Sequence, residues 1–349
     1  MGIAKHVQRL EAYRPGEQPK PGGGIVKLNT NENPYPPSPK CRAALAGFDA
    51  TSLRRYPNPA SDALRAEIAR LFGAKPENVF VGNGSDEVLS IAARAFVDDG
   101  ESIASLDPSY SLYKTLAAIR NVKWTGADPR DGAKAMRSLA RAKSSLFLWT
   151  NPNAPTGEFA EPAEIGAFAR AFRGIVIVDE AYADFARGNC MSLATRPGNR
   201  NLLVMRTFSK SYSLAGLRVG YCVGPANLVA AMHKVKDSYN VDAVAQRVAL
   251  AALRDQAWMR RNAGRIAAER DRFAAKLAGM GWDVLPSEAN FIFAKPPRAA
   301  AAEVFARLRE QRIYVRYFPG ARTGKRLRIT IGTPAQMRRL LSALKSMET

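Results

Sequence analysis

Two patterns of apolar residues divide the chain between residues 61 and 223. Short, nearly continuous apolar runs alternate with longer segments in which apolar residues recur every three or four positions. The runs predict buried strands, and the periodic segments predict amphipathic helices. The predicted strands cover residues 78–81, 102–106, 145–149, 174–178, 202–205 and 218–223, and the predicted helices cover residues 61–72, 85–96, 111–119 and 162–172.

The alternation of strands and helices is typical of the α/β class, with a mostly parallel sheet and helices on both faces. After about residue 250 a long basic helix, residues 256–277, is followed by shorter elements. These are strands at 282–285, 291–294, 314–316 and 327–331 and helices at 301–311 and 334–344. We therefore expect a large domain over residues 31–250 and a smaller α+β domain over residues 251–349. Residues 1–30 should form an arm that packs with the smaller domain.

The formal net charge of +21 makes nucleic acids, acidic membranes and anionic substrates possible partners. No apolar stretch is long enough for a membrane-spanning helix or a secretory signal, so no membrane partner is expected. The three cysteines lack CxxC spacing and there are only two histidines. A disulfide framework and a histidine-based metal site are therefore not expected, and the cytoplasm is the expected location.

The carboxyl ends of strands are where open α/β sheets gather functional residues. The predicted strand at 174–178 leads into Asp179, a carboxylate at the edge of the core that needs a cationic or hydrogen-bonding partner. Tyr182 follows three residues later and can face the same cleft. Asp179 as a simple helix N-cap is an equally open interpretation.

A single lysine, Lys210, follows the predicted strand at 202–205 among small hydroxyl residues. In a tight, partly apolar turn a lysine can have a lowered pKa and act as an amine nucleophile. Ser209 and Arg218 could bind an anionic group beside it. The alternative is a solvated surface lysine, against which the small and apolar neighbours argue.

Two loops after predicted strands could also bind ligand groups. Residues 82–87 open a helix, where backbone N–H groups bind anions. The third glycine of a dinucleotide fingerprint is missing, so a single phosphate is favoured. Residues 151–157 form a proline-fixed turn with two asparagines, which could reach a ligand or could serve the turn alone.

In this order, the segments resemble those of the pyridoxal 5'-phosphate (PLP)-dependent aminotransferases of fold type I, and most of all the histidinol-phosphate aminotransferase family. The matching segments span almost the whole chain: residues 28–35, 55–57, 82–87, 108–110, 151–157, 179–182, 206–220 and 327–332. The joint match of DEAY at 179–182 and of the segment at 206–220 is the most specific part of the resemblance.

The resemblance implies a role for each residue around the cofactor ring. Lys210 would form the Schiff base with PLP and move the proton between the substrate Cα and the cofactor. Asp179 would pair with the pyridine nitrogen, so that the ring acts as an electron sink. Tyr182 would hydrogen-bond the ring hydroxyl oxygen. Ala154 replaces a family asparagine that makes the same contact, and Asn153 is the expected substitute.

The resemblance also implies a phosphate site and a homodimer. Four residues would hold the cofactor phosphate: Ser85, Asp86, Ser209 and Arg218. Tyr110 would stack on the pyridine ring. Tyr56 matches a tyrosine that reaches across the dimer interface to the partner's cofactor phosphate, so the two active sites would be shared.

Substrate recognition is implied at three positions. Arg328 matches the arginine that binds the anionic end of the substrate, and Tyr13 matches a tyrosine near the substrate. Arg316 is a second candidate for the anion, with a surface salt bridge as the equal alternative. Asp242 stands where relatives often have asparagine, which would add a negative charge near the phosphate site.

The implied reaction is a ping-pong transamination in histidine biosynthesis, in which glutamate donates its amino group and a phosphorylated acceptor receives it, with 2-oxoglutarate as the other product. Alternatives are an aromatic amino-acid aminotransferase and a phosphothreonine decarboxylase-like relative. A basic nucleic-acid-binding regulator of the same fold is a remote alternative. Residues 1–30 leave no room for a helix-turn-helix module and the basic residues lack interleaved aromatics, so no nucleic-acid partner is expected.

Overall fold

The computed structural model describes residues 2–10, 16–20, 22–141 and 143–347. In chain order its strands are β1 Val26–Lys27, β2 Val79–Gly82, β3 Ser102–Leu106, β4 Lys123–Ala127, β5 Leu146–Thr150, β6 Ile175–Asp179, β7 Leu202–Thr207, β8 Gly220–Val223, β9 Asp283–Val284, β10 Phe291–Lys295, β11 Ile313–Tyr314, β12 Arg316–Tyr317 and β13 Leu327–Thr330.

The α-helices are α1 Lys5–Gln8, α2 Pro39–Ala46, α3 Asp62–Phe72, α4 Ser85–Phe96, α5 Leu112–Ile119, α6 Ala133–Arg141, α7 Pro162–Ala171, α8 Met191–Thr195, α9 Ala226–Val235, α10 Ala243–Leu253, α11 Gln256–Gly279, α12 Ala301–Glu310 and α13 Pro334–Lys345. Among these described helices, none combines the length and the apolar character needed to cross a membrane. The described residues also contain no cluster of three or more histidine, cysteine, aspartate or glutamate side chains that could hold a metal ion.

A seven-stranded sheet with the order β2–β8–β7–β6–β5–β3–β4 forms the centre of the molecule. The five strands β4, β3, β5, β6 and β7 run parallel, whereas β8 is antiparallel to both of its neighbours. Along β6, Val176 and Val178 pack into one apolar cluster and Ile177 into another. Because both faces of the sheet are covered at its centre, the central strands β5, β6 and β7 are largely apolar rather than alternating. The predicted mostly parallel α/β sheet is confirmed.

Parallel pairing brings the carboxyl ends of the central strands to one edge of the sheet. Thr150 lies opposite Asp179, and Asp179 lies opposite Met205. The segments that follow β3, β5, β6 and β7 therefore start side by side.

A second sheet, with the order β12–β13–β10–β9, is antiparallel and is built from the last quarter of the chain. Next to it, β1 pairs in parallel with β11. The Leu28 N–H donates to the Tyr314 carbonyl, and the Leu28 carbonyl accepts from the Thr330 N–H. The N-terminal chain thus contacts the second sheet. The division into residues 1–30, 31–250 and 251–349 stays a prediction.

Several elements differ from the sequence pattern for identifiable reasons. The strand predicted at 314–316 is two strands that separate at Val315, because β11 pairs with β1 whereas β12 pairs with β13. The unpredicted β4 is an edge strand with exposed Lys123 and Thr125, so it has no apolar run. The predicted strand at 218–223 begins only at Gly220, because Arg218 has a left-handed backbone with φ +55°. Six helices were also not predicted: α1, α2, α6, α8, α9 and α10.

Candidate active site

A cavity of about 790 Å³ lies at the carboxyl-terminal edge of the large sheet. The last residues of β3, β5, β6 and β7 all line it: Leu106, Thr150, Asp179 and Thr207. The second sheet contributes the wall that carries Arg316 and Arg328. Ten of the predicted site residues line this cavity: Ser85, Asp86, Tyr110, Asp179, Tyr182, Ser209, Lys210, Arg218, Arg316 and Arg328.

Lys210 lies in the turn that follows β7, and its amine is inside the cavity. The Lys210 Nζ donates to the Thr30 carbonyl at 3.1 Å and lies 6.0 Å from the centre of the Tyr182 ring. The pKa of Lys210 is lowered from 10.5 to about 8. Burial is the largest cause, and the positive charge of Arg328 is the second. A larger fraction of this amine is therefore unprotonated at neutral pH than in a solvated lysine.

The Lys210 turn is held from two sides. The Asn33 amide donates to the carbonyl oxygens of Lys210 and Ser211, at 3.1 and 3.2 Å. On the other side, the Ser211 hydroxyl donates to Asp184, which also pairs with the buried Arg206 at 3.2 Å. The backbone that carries the lysine is thus fixed independently of any ligand.

Asp179 ends β6 at the base of the cavity and is only 3% exposed. One carboxylate oxygen accepts from the Tyr113 hydroxyl at 2.9 Å, and the other accepts from the Ala181 N–H at 3.1 Å. Burial raises the pKa of Asp179 from 3.8 to about 6, against the effect of these two donors. The carboxylate is therefore still largely ionised at neutral pH. It is not a helix N-cap in this structure, because no helix starts there: the next element is a single 3₁₀ turn at Ala183–Phe185.

Tyr182 is buried beside Asp179 and lines the same cavity. Its hydroxyl accepts from the Asn31 amide at 2.9 Å, and its ring packs edge-on against Phe291 at 5.1 Å between centroids. Asn31 is in turn fixed by Thr330, whose hydroxyl exchanges hydrogen bonds with it at 3.0 and 2.9 Å. The phenol thus occupies one position that is set by the N-terminal segment and the second sheet.

The first turn of α4 and the turn after β7 together form a set of donors suited to a phosphate. A Cβ on Gly84, where φ is +89°, would lie 2.6 Å from Arg218 Nη2, so glycine allows the guanidinium to approach. A Cβ on Gly220 would lie 2.5 Å from the Ser85 backbone nitrogen. The Ser209 hydroxyl accepts from Arg218 Nη1 at 3.3 Å. Helix N–H groups without intrahelical partners, a hydroxyl and a guanidinium converge here.

Asp86 contributes its carboxylate differently from its neighbours in this set. That carboxylate accepts from the Tyr110 hydroxyl at 3.2 Å and lies 3.5 Å from Arg218 Nη2. A carboxylate repels a phosphate, so the Asp86 side chain is suited to orienting Tyr110 and Arg218 rather than to binding the phosphate. Only the Asp86 backbone N–H is suited to an anion. Tyr110 also packs edge-on against Tyr113.

The structure does not bring Asn153 to the cavity, although we expected it there. Its amide nitrogen donates to the Pro108 carbonyl and the Thr156 hydroxyl, each at 3.0 Å, and its amide oxygen accepts from Ser109 at 2.8 Å. All of these bonds lie within the turn and its neighbouring loop. The cavity wall at this point is Ala154.

Three other expected residues lie away from the cavity or outside the described residues. Tyr56 is 80% exposed and stacks on Tyr239 with 4.4 Å between ring centroids. Tyr13 lies outside the residues that the structure describes. Asp242 is the N-cap of α10 and accepts from the Ala245 N–H at 2.7 Å. Its carboxylate thus serves the start of a helix.

Arg316 and Arg328 lie directly opposite each other on β12 and β13. Both guanidinium groups lie over the ring of Phe318, at 5.3 and 5.2 Å from its centre. Arg328 also donates to the Asn29 carbonyl at 3.0 Å. Like charges directly opposite on a sheet destabilise it, so this pair is suited to an anion between or beside the two groups.

Sequence reasoning missed Tyr113 and Asn31, which hold Asp179 and Tyr182. Tyr113 lies in the first turn of α5, three residues after Tyr110, and its closeness to a predicted site residue was the available signal. Asn31 is contacted from the second sheet, about 300 residues away in sequence (the Thr330 bond spans 299). No local pattern indicates such a contact.

Known proteins match this chain along nearly all of its length. Residues 24–344 match the family described as aminotransferase class I and II. A relative named histidinol-phosphate aminotransferase from Syntrophotalea carbinolica is 44% identical over 343 residues, which cover 98% of each chain. Another of the same name, from Geotalea uraniireducens, is 41% identical over 99% of each chain.

Among solved structures, the histidinol-phosphate aminotransferase from Sinorhizobium meliloti in complex with pyridoxal-5'-phosphate has a TM-score of 0.84 at 25% identity, covering 93% of this chain and 92% of that one. The L-threonine-O-3-phosphate decarboxylase from Porphyromonas gingivalis has a TM-score of 0.81 at 22% identity, covering 93% and 99%, and shares the fold. Together with the family match, these relatives show that the chain belongs to the class I and II aminotransferases.

Proposed function

We propose that this chain is a PLP-dependent histidinol-phosphate aminotransferase that uses glutamate and 2-oxoglutarate as the second substrate pair. The observation that carries the proposal is the meeting of three groups in one cavity: the Lys210 amine, the buried Asp179 carboxylate and the Arg316–Arg328 pair. The names of relatives at 41–44% identity support the choice of substrate.

The residues present fit the cofactor. A phosphate is matched by the donors of the first turn of α4, by Ser209 and by Arg218. A side chain at Gly84 or Gly220 would fill the space beside these donors with its Cβ. Two further atoms of cavity-lining residues, Asn29 Oδ1 and Thr30 Oγ1, are buried and have no hydrogen-bond partner among the described residues. Such atoms are costly unless a ligand or water satisfies them.

The bound cofactor would supply an electron sink for the charge that develops at the substrate Cα. Lys210 would hold the cofactor and carry the proton at that carbon, because its lowered pKa lets the amine both accept and return a proton near neutral pH. Asp179 would face the ring nitrogen, and Tyr182, held by Asn31, would face the ring hydroxyl.

The anionic end of each substrate would bind to Arg316 and Arg328. A guanidinium pair suits both the phosphate of histidinol phosphate and the side-chain carboxylate of glutamate. One site could therefore serve both halves of a ping-pong cycle, as a transaminase with two chemically different substrates requires. Cation–π contacts with Phe318 orient both guanidinium groups at the cavity wall.

We also propose that the protein works as a homodimer with shared sites. Tyr56 and its stacking partner Tyr239 form an exposed aromatic pair, with the exposed Leu53 three residues before Tyr56. Large exposed apolar side chains grouped in this way mark interaction surfaces. The three free cysteines are all buried, which suits a reducing compartment such as the cytoplasm.

The test of the cofactor assignment is the visible absorption of the purified protein with added PLP. We expect a yellow band for the wild type and none for Lys210→Ala, and we expect transamination to fall by about 10³-fold or more in that variant, because it removes the group that moves the proton. Lys75→Ala, at an exposed lysine, is the matched control and should change neither. A wild-type protein that stays colourless with PLP would contradict the proposal.

The test of the substrate assignment compares kcat/KM for histidinol phosphate with that for phenylalanine, each with 2-oxoglutarate. We expect histidinol phosphate to be preferred. A much higher kcat/KM for phenylalanine would contradict this proposal and indicate an aromatic amino-acid aminotransferase. Release of carbon dioxide from phosphothreonine would indicate the decarboxylase-like alternative.

A further inference from the structure

We propose that Tyr113 is a positioning residue for Asp179: its hydroxyl fixes the carboxylate in one orientation and keeps it ionised for the cofactor ring. This inference rests on the proposed function, since it concerns how that site holds its cofactor. Tyr113 itself does not line the cavity. It would act only through Asp179.

The geometry places one donor on each oxygen of the Asp179 carboxylate. Tyr113 projects from α5 and is fully buried, and its hydroxyl reaches Oδ2 at 2.9 Å. The N–H of Ala181, two residues after Asp179, donates to Oδ1 at 3.1 Å. Two donors on different oxygens define the plane of a carboxylate, whereas the backbone donor alone leaves it free to rotate.

A short series of hydrogen-bonded hydroxyl groups determines which acceptor the Tyr113 hydroxyl donates to. Its oxygen lies 2.5 Å from Thr150 Oγ1, Thr150 lies 3.2 Å from Ser109 Oγ, and Ser109 donates to the Asn153 amide oxygen at 2.8 Å. Three hydroxyl protons are available for four contacts, counting the one to Asp179. An ionised carboxylate can only accept, so Tyr113 donates to Asp179 and Thr150 donates to Tyr113. The longest contact, between Thr150 and Ser109, is then the one without a proton.

This arrangement explains the place of Asn153, which our sequence reasoning put at the cofactor. Its amide oxygen accepts the last proton of the series, and its amide nitrogen is fixed by Pro108 and Thr156. The asparagine turn therefore supports the hydroxyl series from behind rather than contacting a ligand in the cavity.

The surrounding charges make a donor to Asp179 necessary. Burial disfavours the carboxylate, and two further acids raise its pKa: Asp86 from α4 and Glu180, the residue directly after β6. Glu180 is compensated by Arg206, which donates to it at 2.8 and 3.0 Å. Among the groups that act on Asp179, Tyr113 is the strongest that favours the ionised form, followed by the Ala181 N–H. Lys210 and Arg218 line the same cavity and carry positive charges on its other walls.

The variant Tyr113→Phe separates this role from packing. It keeps the ring and its edge-on contact with Tyr110, at 5.7 Å, and removes only the hydroxyl. The matched control is Tyr221→Phe. Tyr221 is equally buried, its hydroxyl has no partner among the described residues, and it does not line the cavity. Both variants lose one interior hydroxyl, but only one of them loses a bond to Asp179.

The experiment is titration of the cofactor-free enzyme with PLP, followed by visible absorption, at several values between about pH 6 and pH 9. We expect Tyr113→Phe to bind PLP about tenfold or more weakly near pH 7 and to approach the wild type as pH rises, because its Asp179 ionises only at higher pH. Tyr221→Phe should follow the wild-type curve. Other titrating groups are common to all three proteins and cancel in the comparison.

A purely structural role for the hydroxyl predicts a different result. In that case Tyr113→Phe would lose the same factor at every pH, and the proposal would be overturned. It would also be overturned if Tyr113→Phe matched the wild type throughout. In an Asp179→Asn background, where nothing ionises at this position, Tyr113→Phe should cause no further pH-dependent change.

A second measurement keeps this inference distinct from the proposed function. Carbon-13 NMR of the carboxyl groups, without cofactor, reports the pKa of Asp179 directly, with Asp179→Asn to assign the signal. We expect Tyr113→Phe to raise that pKa and Tyr221→Phe to leave it unchanged. If the wild type fails to bind PLP, the proposed function fails, and this titration still decides whether Tyr113 controls Asp179.

Discussion

The two walls of the active-site cavity are built in different ways. The wall on the large sheet is made of strand ends and the turns that follow them. Its charged groups are held by neighbouring segments around the same sheet, as Asp179 is held by Tyr113 and Arg218 by Asp86. The opposite wall brings residues 29–31 together with β12 and β13, which lie almost 300 residues further along the sequence. We infer that the first wall is a fixed cofactor site, and that the second wall adapts the same chemistry to a particular substrate.

The bonding of the charged groups supports this difference. On the large-sheet wall, Asp179 has a donor on each oxygen, and Arg218 is placed by Ser209 and Asp86. On the second wall, two guanidinium groups face each other across adjacent strands and share one aromatic ring. The first arrangement gives each charged group fixed partners, whereas the second places two guanidinium groups side by side at the cavity wall, where the anionic end of a substrate would bind.

Removing the arginines of the second wall tests whether that wall binds the substrate. We expect Arg328→Ala to raise KM for histidinol phosphate roughly 10- to 100-fold, since hydrogen bonds to charged groups contribute about 1.5–3 kcal/mol. Affinity for PLP should change little. Arg316→Ala should have an effect of the same kind, because Arg316 lies directly opposite Arg328 and lines the same cavity.

Steady-state kinetics together with PLP titration would check this division. Arg322→Ala is a suitable control, since Arg322 pairs with Asp128 and Asp131 and does not line the cavity. If Arg328→Ala weakened PLP binding as much as substrate binding, the two walls would not be separate in function.

A second change addresses the cofactor wall alone. In Gly84→Ala the new Cβ would meet Arg218 Nη2 at 2.6 Å, so the guanidinium must move away from the α4 first turn. We expect PLP to bind about tenfold more weakly, because the moved guanidinium loses a hydrogen bond to the phosphate. KM for histidinol phosphate in the cofactor-saturated enzyme should change less.

Gly100→Ala is the matched control for the backbone. Gly100 has nearly the same dihedral, φ +82° against +89°, but a Cβ there meets nothing within 4 Å. Both substitutions carry the strain of an alanine at positive φ, about 1–3 kcal/mol, and only Gly84→Ala displaces Arg218. Equal PLP affinities in the two variants would show that Arg218 does not depend on this glycine.

The same difference explains how much the sequence could predict. Asp179, Ser209 and Lys210 follow apolar runs closely, so the sequence pattern placed them at the carboxyl ends of strands. The family resemblance then grouped them with Arg218 around one cofactor. The partners that complete the site were not predictable. Tyr113 contacts Asp179 from helix α5, Asn31 contacts Tyr182 across 151 residues, and the Asn153 amide bonds its own turn and the loop at Pro108. Such contacts depend on packing between elements, which periodicity does not encode.

Lys210 lies on the first wall, and the charge of Arg328 on the second wall acts on its pKa. This coupling predicts a small effect of Lys210 on the stability of the cofactor-free protein. Burial and the positive charge of Arg328 lower its pKa from 10.5 to about 8, so folding without cofactor disfavours the protonated amine. Below about pH 8 both the folded and the unfolded chain hold the proton, and this penalty is fully present. As pH rises from 8 to 10.5 the folded chain has released the proton while the unfolded chain still holds it, so the penalty disappears.

Replacing Lys210 with methionine removes the charge and therefore the penalty. We expect cofactor-free Lys210→Met to exceed the wild type by about 1–2 kcal/mol in the free energy of unfolding at pH 7, a value reduced for partial exposure and for the lost bond to Thr30. The advantage should shrink as pH rises through the interval from 8 to 10.5, which urea unfolding at several pH values can follow. Arg328→Ala should give part of the same gain, because it removes the second cause of the lowered pKa. A constant difference between Lys210→Met and the wild type at every pH would mean that the lysine is not held in the cavity as an electrostatically strained group, and that the second wall does not act on it.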